Sequence, residues 1–352
     1  MVSAFVCSRT SPNYLCYYQF RFIFGVVMSE QRLLRIMADG DYHSGEELGE
    51  SLGVSRTAVW KQIKKLEGLG LNVDSVKGRG YRIPGGVDLL SEQQLLSSLS
   101  DGAKECLDCV EVLSVVDSTN ALAMGRAQTG IQSYLCVAEQ QTAGRGRRGR
   151  VWQSPYGRNL YFSVVWSFQG GASVLEGLSL AVGVGVVNAL SQLGVEGLGV
   201  KWPNDILYKD KKLAGILLEM TGDAEGPCKL VVGIGLNVSM AEAEAKKIDQ
   251  DWINLSDISA DLPSRNQILA AIINELMPIL ASYEEKGFSA YRQQFMALDA
   301  YSDRPVYIRQ GARVVVGRVA GVDEAGALLM ATDDGVEVFN GGEVSLRRLN
   351  DS

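Results

Sequence analysis

The earliest regular pattern in the chain lies at residues 29–38, where Leu33, Leu34 and Met37 share one face and predict a helix. A second helix is predicted from Ser44: Glu47 completes a capping box, Leu48 and Leu52 sit one turn apart, and Gly53 stops the run. Ser55 can cap a third, in which Val59, Ile63 and Leu66 fall on one face. Beyond Gly70 the pattern turns extended, with Val73 and Val76 leading into a basic, glycine-rich run from Lys77 to Ile83. Pro84, Gly85 and Gly86 break the chain as a linker, and Ser91 opens a short helix with a capping box to Gln94.

Strand-length apolar runs follow at 111–116, 134–139, 160–167, 198–202, 213–220 and 229–238. Two long helices are predicted among them. That at 174–193 is apolar nearly all round and therefore buried; that at 264–286 is capped by Ser264 with Gln267 and bent at Pro278. After Arg304 and Pro305 only short strands remain, Val306–Arg309, Arg313–Val319, Ala327–Ala331 and Val336–Phe339, joined by turn residues such as Gln310-Gly311 and Asp333-Asp334-Gly335. The chain is thus α+β, with 28–84 as a helical and hairpin unit, 85–110 as linker and short helix, 111–300 as a mixed core and 301–352 as a small β unit. Residues 1–27 read as an extension that is disordered or not native. Its apolar stretch Tyr14–Val27 is interrupted by Gln19 and Arg21, falls short of the ~20 residues that span a bilayer, and lacks a signal-cleavage pattern, whereas Met28 opens the clean amphipathic segment.

An apolar share of 46% with 21% charged residues excludes a disordered or collagen-like chain. Of six cysteines only Cys106 and Cys109 form a C-x-x-C, and His43 is the single histidine, so no side-chain cage for a metal is expected. The cysteines read as reduced thiols of a cytoplasmic protein without a membrane segment.

The net charge is −7, so any surface for nucleic acid must be local. One is present. Between Arg56 and Arg82 seven Lys or Arg face two acids, Glu67 and Asp74. On the third helix Ser55, Arg56, Thr57, Trp60, Lys61 and Lys64 fall away from the apolar stripe, and Arg79 sits at the tip of the basic hairpin. A single basic helix is ordinarily a solvated face. Helix, turn, helix and basic wing in this order instead describe a winged helix-turn-helix for DNA, with the third helix entering a major groove.

The segment Gln140–Arg150 contains G-x-G-x-x-G, but a strand rather than a helix follows it and no acidic residue stands about 20 positions on, so the dinucleotide reading fails. Four arginines in six residues, spaced by glycines, instead describe a mobile cationic loop that closes over a phosphate or acyl phosphate. Three further stretches suit an activated acid. Asp117-Ser118-Thr119-Asn120 precedes a helix, so hydroxyl, amide and helix N-terminus can meet one polar head group. Lys201-Trp202-Pro203-Asn204-Asp205 ends a strand with lysine, amide and carboxylate together, and Lys212-Leu213-Ala214-Gly215 puts a lysine at the mouth of the next. Gly233 and Gly235 alternate on a strand ending at Asn237, letting a ligand lie against backbone. Each alone reads equally well as a cap, turn or bulge.

Together, DSTN, Q-x-A-GRGRRGR-x-W, KWPND, KLAGIL, G-x-G-x-N and a terminal GGEVSLR resemble the bacterial bifunctional biotin–protein ligases that also repress the biotin operon, over Met28 to Arg348. The resemblance implies a winged helix-turn-helix, a central mixed-sheet α/β ligase domain of class II synthetase-like kind and a C-terminal SH3-like β-barrel. It implies biotin and ATP, with Mg²⁺, giving biotinyl-5′-AMP, and transfer of biotin to a lysine of the biotin carboxyl carrier protein of acetyl-CoA carboxylase. By the same resemblance Ser118, Thr119, Asn120, Gln141, Gly233 and Gly235 hold biotin, Arg145, Gly146 and Arg147 bind its carboxylate and the phosphoryl region, and Lys212 sits at the reacting carboxylate. Trp152, Lys201, Asn204, Asp205, Asn237 and Arg347 are expected on the nucleotide side, with Lys212, Arg147 and Asp205 catalytic. An adenylate-bound homodimer on operator DNA is implied. The rival readings are a biotin-sensing repressor without ligase activity, a lipoate or octanoate transferase, and a ligase whose wing is vestigial.

Overall fold

The computed structural model describes residues 6–7, 24–171, 175–223, 225–311, 313–341 and 344–349, so the extension expected at 1–27 lies largely outside it. Val6–Cys7 form a short strand, β1. Helix α1 (Phe24–Met37) starts ahead of the predicted residue 29, since no proline or cap interrupts residues 24–28. It packs with α2 (Gly45–Leu52) and α3 (Arg56–Gly68) around Leu33, Leu34, Met37, Leu48, Val59, Ile63 and Leu66, all buried as their spacing requires. The Ser44–Glu47 capping box is complete, and Ser55 caps α3 through the Ala58 amide at 3.3 Å.

The wing is the hairpin of β2 (Asp74–Val76) and β3 (Gly80–Arg82). Its second strand hydrogen-bonds His43, with His43 N donating to Tyr81 O at 2.9 Å and Tyr81 N to His43 O at 2.8 Å. Gly80 is required there: at φ 102° a Cβ would lie 2.0 Å from His43 O.

Two short helices follow, α4 (Glu92–Ser98) and α5 (Asp101–Cys106). Ser91 caps α4, but the reciprocal half of the expected box is missing, because the Gln94 carbonyl accepts from Asn266 Nδ2 at 2.9 Å instead. The α5 helix had no sequence signal; Ala103 is its only buried residue.

The central domain adds β4 (Cys109–Val116), α6 (Thr119–Ala127), β5 (Ser133–Gln141), β6 (Leu160–Phe168), α7 (Leu178–Gln192), β7 (Leu198–Lys201), β8 (Asp205–Tyr208), β9 (Lys211–Gly222), β10 (Cys228–Leu236), α8 (Arg265–Lys286) and α9 (Ser289–Leu298). One eight-stranded sheet runs β1-β4-β5-β6-β10-β9-β8-β7, parallel only at β4–β5 and therefore mixed. The main core lies between this sheet and α7 and α8, and α6 covers the other face over Leu113, Cys136, Val165 and Val231. Ser264 and Gln267 cap α8 as predicted, and the helix continues through Pro278. The sequence pattern missed β8, too short to show alternation, and α9, where only Phe295 is buried. At the linker, Arg265 pairs with Glu139 at 2.6 Å, both nearly inaccessible, and its Nε donates to Asp88 O at 2.9 Å.

The C-terminal unit comprises β11 (Pro305–Gln310), β12 (Arg313–Val322), β13 (Leu328–Thr332), β14 (Gly335–Phe339) and β15 (Val344–Arg348) in an antiparallel sheet of order β14-β13-β12-β11-β15. β15 is a strand the pattern did not predict. The core of this sheet, including Val306, Ile308, Leu328 and Met330, is continuous with that of the central domain. Among the described residues no helix is long and apolar enough to cross a membrane.

Asp299 joins α9 to β11. One carboxylate oxygen accepts from Tyr301 N at 2.9 Å and the other is buried without a hydrogen-bond partner. Burial, opposed by that backbone bond and Arg304, lifts its pKa to about 6. A carboxyl whose folded pKa exceeds its unfolded value favours the fold when protonated, so this contribution is full below about pH 4 and lost as pH rises through about 6. Asp299→Asn should therefore stabilise the protein at pH 8 by roughly 2–3 kcal/mol and change little at pH 4, as read by thermal melts at both values.

Candidate active site

The end of β4 feeds directly into α6, and Ser118, its N-cap, accepts from Ala121 N at 3.4 Å. That geometry brings Thr119 and Asn120, 3% and 4% exposed, to the floor of a cleft of about 820 Å³. Gln141, at the end of β5, accepts from Thr119 N at 2.9 Å and approaches Thr119 Oγ1 at 3.1 Å, while its Nε2 donates to Ser154 Oγ at 3.1 Å. Ser163 on β6 lies buried beneath the floor: its Oγ is 2.6 Å from Asn120 Oδ1 and 2.9 Å from Thr119 Oγ1. Neither Ser163 nor Ser154 was singled out from sequence; a serine inside the apolar run Leu160–Trp166 was the available signal.

Gly233 and Gly235 make room, but for side chains of the protein itself. A Cβ at Gly233 would lie 1.9 Å from Asn120 Oδ1, and one at Gly235 would lie 2.4 Å from Trp152 Cε2. Gly235 is paired with Gly215 across β9 and β10, and a Cβ at Gly215 would meet Trp152 at 3.0 Å. The indole is thus seated on a glycine pair, with Lys212 Nζ 5.4 Å from its ring centroid.

The arginine loop is closed at its base by Trp152 N donating to Gly144 O at 2.9 Å and Gly146 N to Arg150 O at 2.7 Å. Arg148 and Gly149 take left-handed φ values of 59° and 73°. From this turn Arg147 reaches inward, donating to Asn204 Oδ1 at 2.8 Å and to Gly341 O at 2.5 Å. Asn204 is itself fixed by Ile216, through Nδ2 to Ile216 O at 2.9 Å and Ile216 N to Asn204 O at 2.9 Å.

Next to it, Asp205 Oδ1 lies 2.7 Å from Lys212 Nζ, an ion pair outside hydrogen-bond geometry. A bulge between β8 and β9 skips Leu213, pairing Leu207 with Lys212, and such a bulge re-aims the side chain beside it. Burial, opposed by Asp205 and reinforced by Arg148 and Arg150, draws the Arg147 pKa below the usual guanidinium value. An anion placed here would stabilise that charge.

Ser118, Thr119, Asn120, Gln141, Arg145, Gly146, Arg147, Trp152, Lys201, Asn204, Asp205, Lys212, Gly233, Gly235 and Arg347 all line this one cleft. Lys201 rests 5.1 Å from the Tyr301 ring centroid. Asn237 is not on the wall: it is 4% exposed, and its Nδ2 points to the Lys212 carbonyl at 3.4 Å. Asp210, missed in the sequence, ties the C-terminal sheet to the rim through Arg348 at 2.8 Å and Arg304 at 2.5 Å. On the other domain Arg56, Trp60, Lys61, Lys64 and Arg79 are exposed, as are Ser55 and Thr57. Lys64 pairs with Glu67 at 2.6 Å, and Arg79 stacks on Tyr42 at 4.1 Å.

Three family patterns match in chain order: an HTH domain at residues 30–82, the Biotin/lipoate A/B protein ligase family at 112–237 and the Biotin protein ligase C terminal domain at 301–347. The chain is 40% identical over 316 residues to the bifunctional ligase/repressor BirA of Escherichia coli (strain K12), covering 90% of this chain and 96% of that protein. It belongs to the bifunctional biotin ligase/repressor family. It is also 32% identical over 238 residues to the biotin–[acetyl-CoA-carboxylase] ligase of Paracoccus denitrificans, covering 66% of this chain and 98% of that one. Among solved structures it resembles the biotin protein ligase from Aquifex aeolicus in complex with biotin and ATP, with a TM-score of 0.59, 31% identity and coverage of 68% of this chain and 98% of that one.

The seat of Trp152 yields a direct test. Gly235→Ala puts a methyl where the indole lies, at 2.4 Å, and should expel it. Near-ultraviolet circular dichroism should show the contribution of the seated Trp152 ring lost in the variant and kept in the parent protein; an unchanged spectrum would contradict this seat.

Proposed function

We propose that this cleft joins biotin to ATP and then to protein. The biotin carboxylate oxygen attacks the α-phosphorus, pyrophosphate leaves, and biotinyl-5′-AMP remains bound. The amine of a lysine on the biotin carboxyl carrier protein of acetyl-CoA carboxylase then attacks the activated carbonyl, and AMP leaves. The observation that carries this reading is the pairing at one turn: Asn204 holds Arg147 at 2.8 Å while Asp205 holds Lys212 at 2.7 Å, so two cations face one space.

Ser118, Thr119, Asn120 and Gln141 form the seat for the biotin ring, and Gly233 and Gly235 let Asn120 and Trp152 lie close to the sheet. Arg145, Gly146, Arg147 and Lys212 meet the carboxylate and the phosphoryl oxygens, two negative groups that the reaction brings together, so their contribution is electrostatic. Trp152, Lys201 and Arg347 serve the nucleotide, and Asn237 acts behind Lys212. Asp205 can also take the proton of the incoming lysine.

Mg²⁺ fits this wall. Asp205 Oδ1 makes no hydrogen bond and has the Lys212 ammonium at 2.7 Å as its ion-pair partner, and a single carboxylate with substrate phosphates is a common way of holding this ion. When bound, Mg²⁺ neutralises phosphate charge. Among the described residues no group of three His, Cys, Asp or Glu side chains could hold a metal by itself.

The winged helix-turn-helix at 28–84 makes the protein a repressor of biotin genes. The adenylate-bound chain forms a homodimer and binds two-fold-related operator DNA, with α3 in the major groove and Arg79 on the backbone or minor groove. The setting is the cytoplasm.

Incubation with biotin, ATP and a carrier domain tests the ligase. Lys212→Met and Arg147→Gln should each slow adenylate formation about 10²–10³-fold, the scale of removing one electrostatic stabiliser. Absence of labelled carrier with the intact protein would leave a biotin-sensing repressor without ligase activity. For the repressor, footprinting on a biotin promoter should show protection that needs biotin and ATP. Arg56→Ala and Lys61→Ala should weaken it, and removing a cation that meets a phosphate should lower the salt slope by about one. Unchanged binding in both would remove α3 from the interface.

A further inference from the structure

Glu219, on β9 behind the cleft floor, joins the floor to the base of the arginine loop through one carboxylate. Its Oε2 accepts from Asn120 Nδ2 at 2.7 Å, and its Oε1 lies 3.4 Å from Arg145 NH1. It does not line the cleft, and nothing in the local sequence marks it as functional.

Its role follows from the supply of protons on the floor. The Asn120 amide lies flat on Gly233, and its Nδ2 also points to Leu217 O at 3.4 Å. Ser163 Oγ lies 2.6 Å from Asn120 Oδ1 and 2.9 Å from Thr119 Oγ1, but a serine has one proton. A carboxylate only accepts, so Glu219 turns the NH₂ end of Asn120 toward itself and the carbonyl end toward Ser163. Ser163 must then spend its proton on Asn120. Thr119 donates to Ser163 or to Gln141, and both lone pairs on its Oγ1 stay free. With the amide reversed, Ser163 would accept from Asn120 and donate to Thr119, taking one of those two acceptor positions.

We propose that Glu219 is a positioning and specificity residue: by orienting Asn120 it keeps both lone pairs of Thr119 Oγ1 free, one of them to accept from an N–H donor of the bound ring. The ligand class this selects is a cyclic urea with an N–H on that edge. This rests on the reading above in which the floor holds the biotin ring.

The test compares Glu219→Met, which removes both carboxylate oxygens, with Glu219→Gln, which keeps an oxygen for Asn120 and removes the charge facing Arg145. In the intact protein, Glu219→Met should raise the KM for biotin about tenfold, the scale of one hydrogen bond to a charged group, with kcat and melting temperature near wild type. Glu219→Gln should recover most of that loss. In a Ser163→Ala background, where no serine proton remains to redirect, Glu219→Met should add at most about a twofold further increase. Equal KM values in all three Glu219 forms, or a penalty undiminished in the Ser163→Ala background, would overturn the proposal. Failure of the parent protein to bind biotin would instead overturn the reading on which it rests.

Discussion

One turn sets the chemistry of this protein. Between β7 and β8, adjacent residues Asn204 and Asp205 hold Arg147 from the arginine loop and Lys212 from the neighbouring strand. Burial in the cleft draws Arg147 below its usual pKa, and the neighbouring Arg148 and Arg150 add to that. An amide on one cation and a carboxylate on the other make the pair tolerable without filling the space between them. The remaining deficit is one that an acyl phosphate can satisfy, because its oxygens accept from both.

The sheet supplies the geometry that the turn requires. Register places Gly215 opposite Gly235, so the Trp152 ring can rest on two bare backbones, and Gly233 does the same for Asn120. The skipped Leu213 aims Lys212 at Asp205. Behind the wall, Asn237 holds the Lys212 carbonyl, and Asp210 ties down Arg304, just ahead of β11, and Arg348 on β15. The winged domain is joined through a linker gripped by the buried Arg265–Glu139 pair. Tyr156, four residues after Trp152, packs into the winged-domain core.

Elements with a strong period or cap were legible in the sequence. Leu33, Leu48, Val59 and Ile63 are buried as their spacing demands, and Ser44 and Ser264 cap the helices expected of them. Short or polar elements were not: β8 has four residues, and α9 buries only Phe295. The site divides similarly. Residues carried on motifs, such as Arg147, Asp205 and Lys212, converge on one cleft because charged groups beside glycines at strand ends have few structural reasons to be there. Ser163 showed only as a lone serine in an apolar run, and Glu219 not at all, since each matters through a partner far away in sequence. The alternate glycines predict close approach to the backbone, and Asn120 and Trp152 are the side chains that lie against them at the cleft. Close approach was readable, but not what approaches.

At the centre of this account the Asn204–Asp205 turn makes a two-cation clasp for an acylated AMP. Native mass spectrometry of the chain after incubation with biotin and ATP tests it most directly. The expected result is retained biotinyl-5′-AMP in the intact protein and its loss when Asn204 and Asp205 are both replaced by alanine. An intact chain that retains nothing, or a double variant that retains as much, would contradict it.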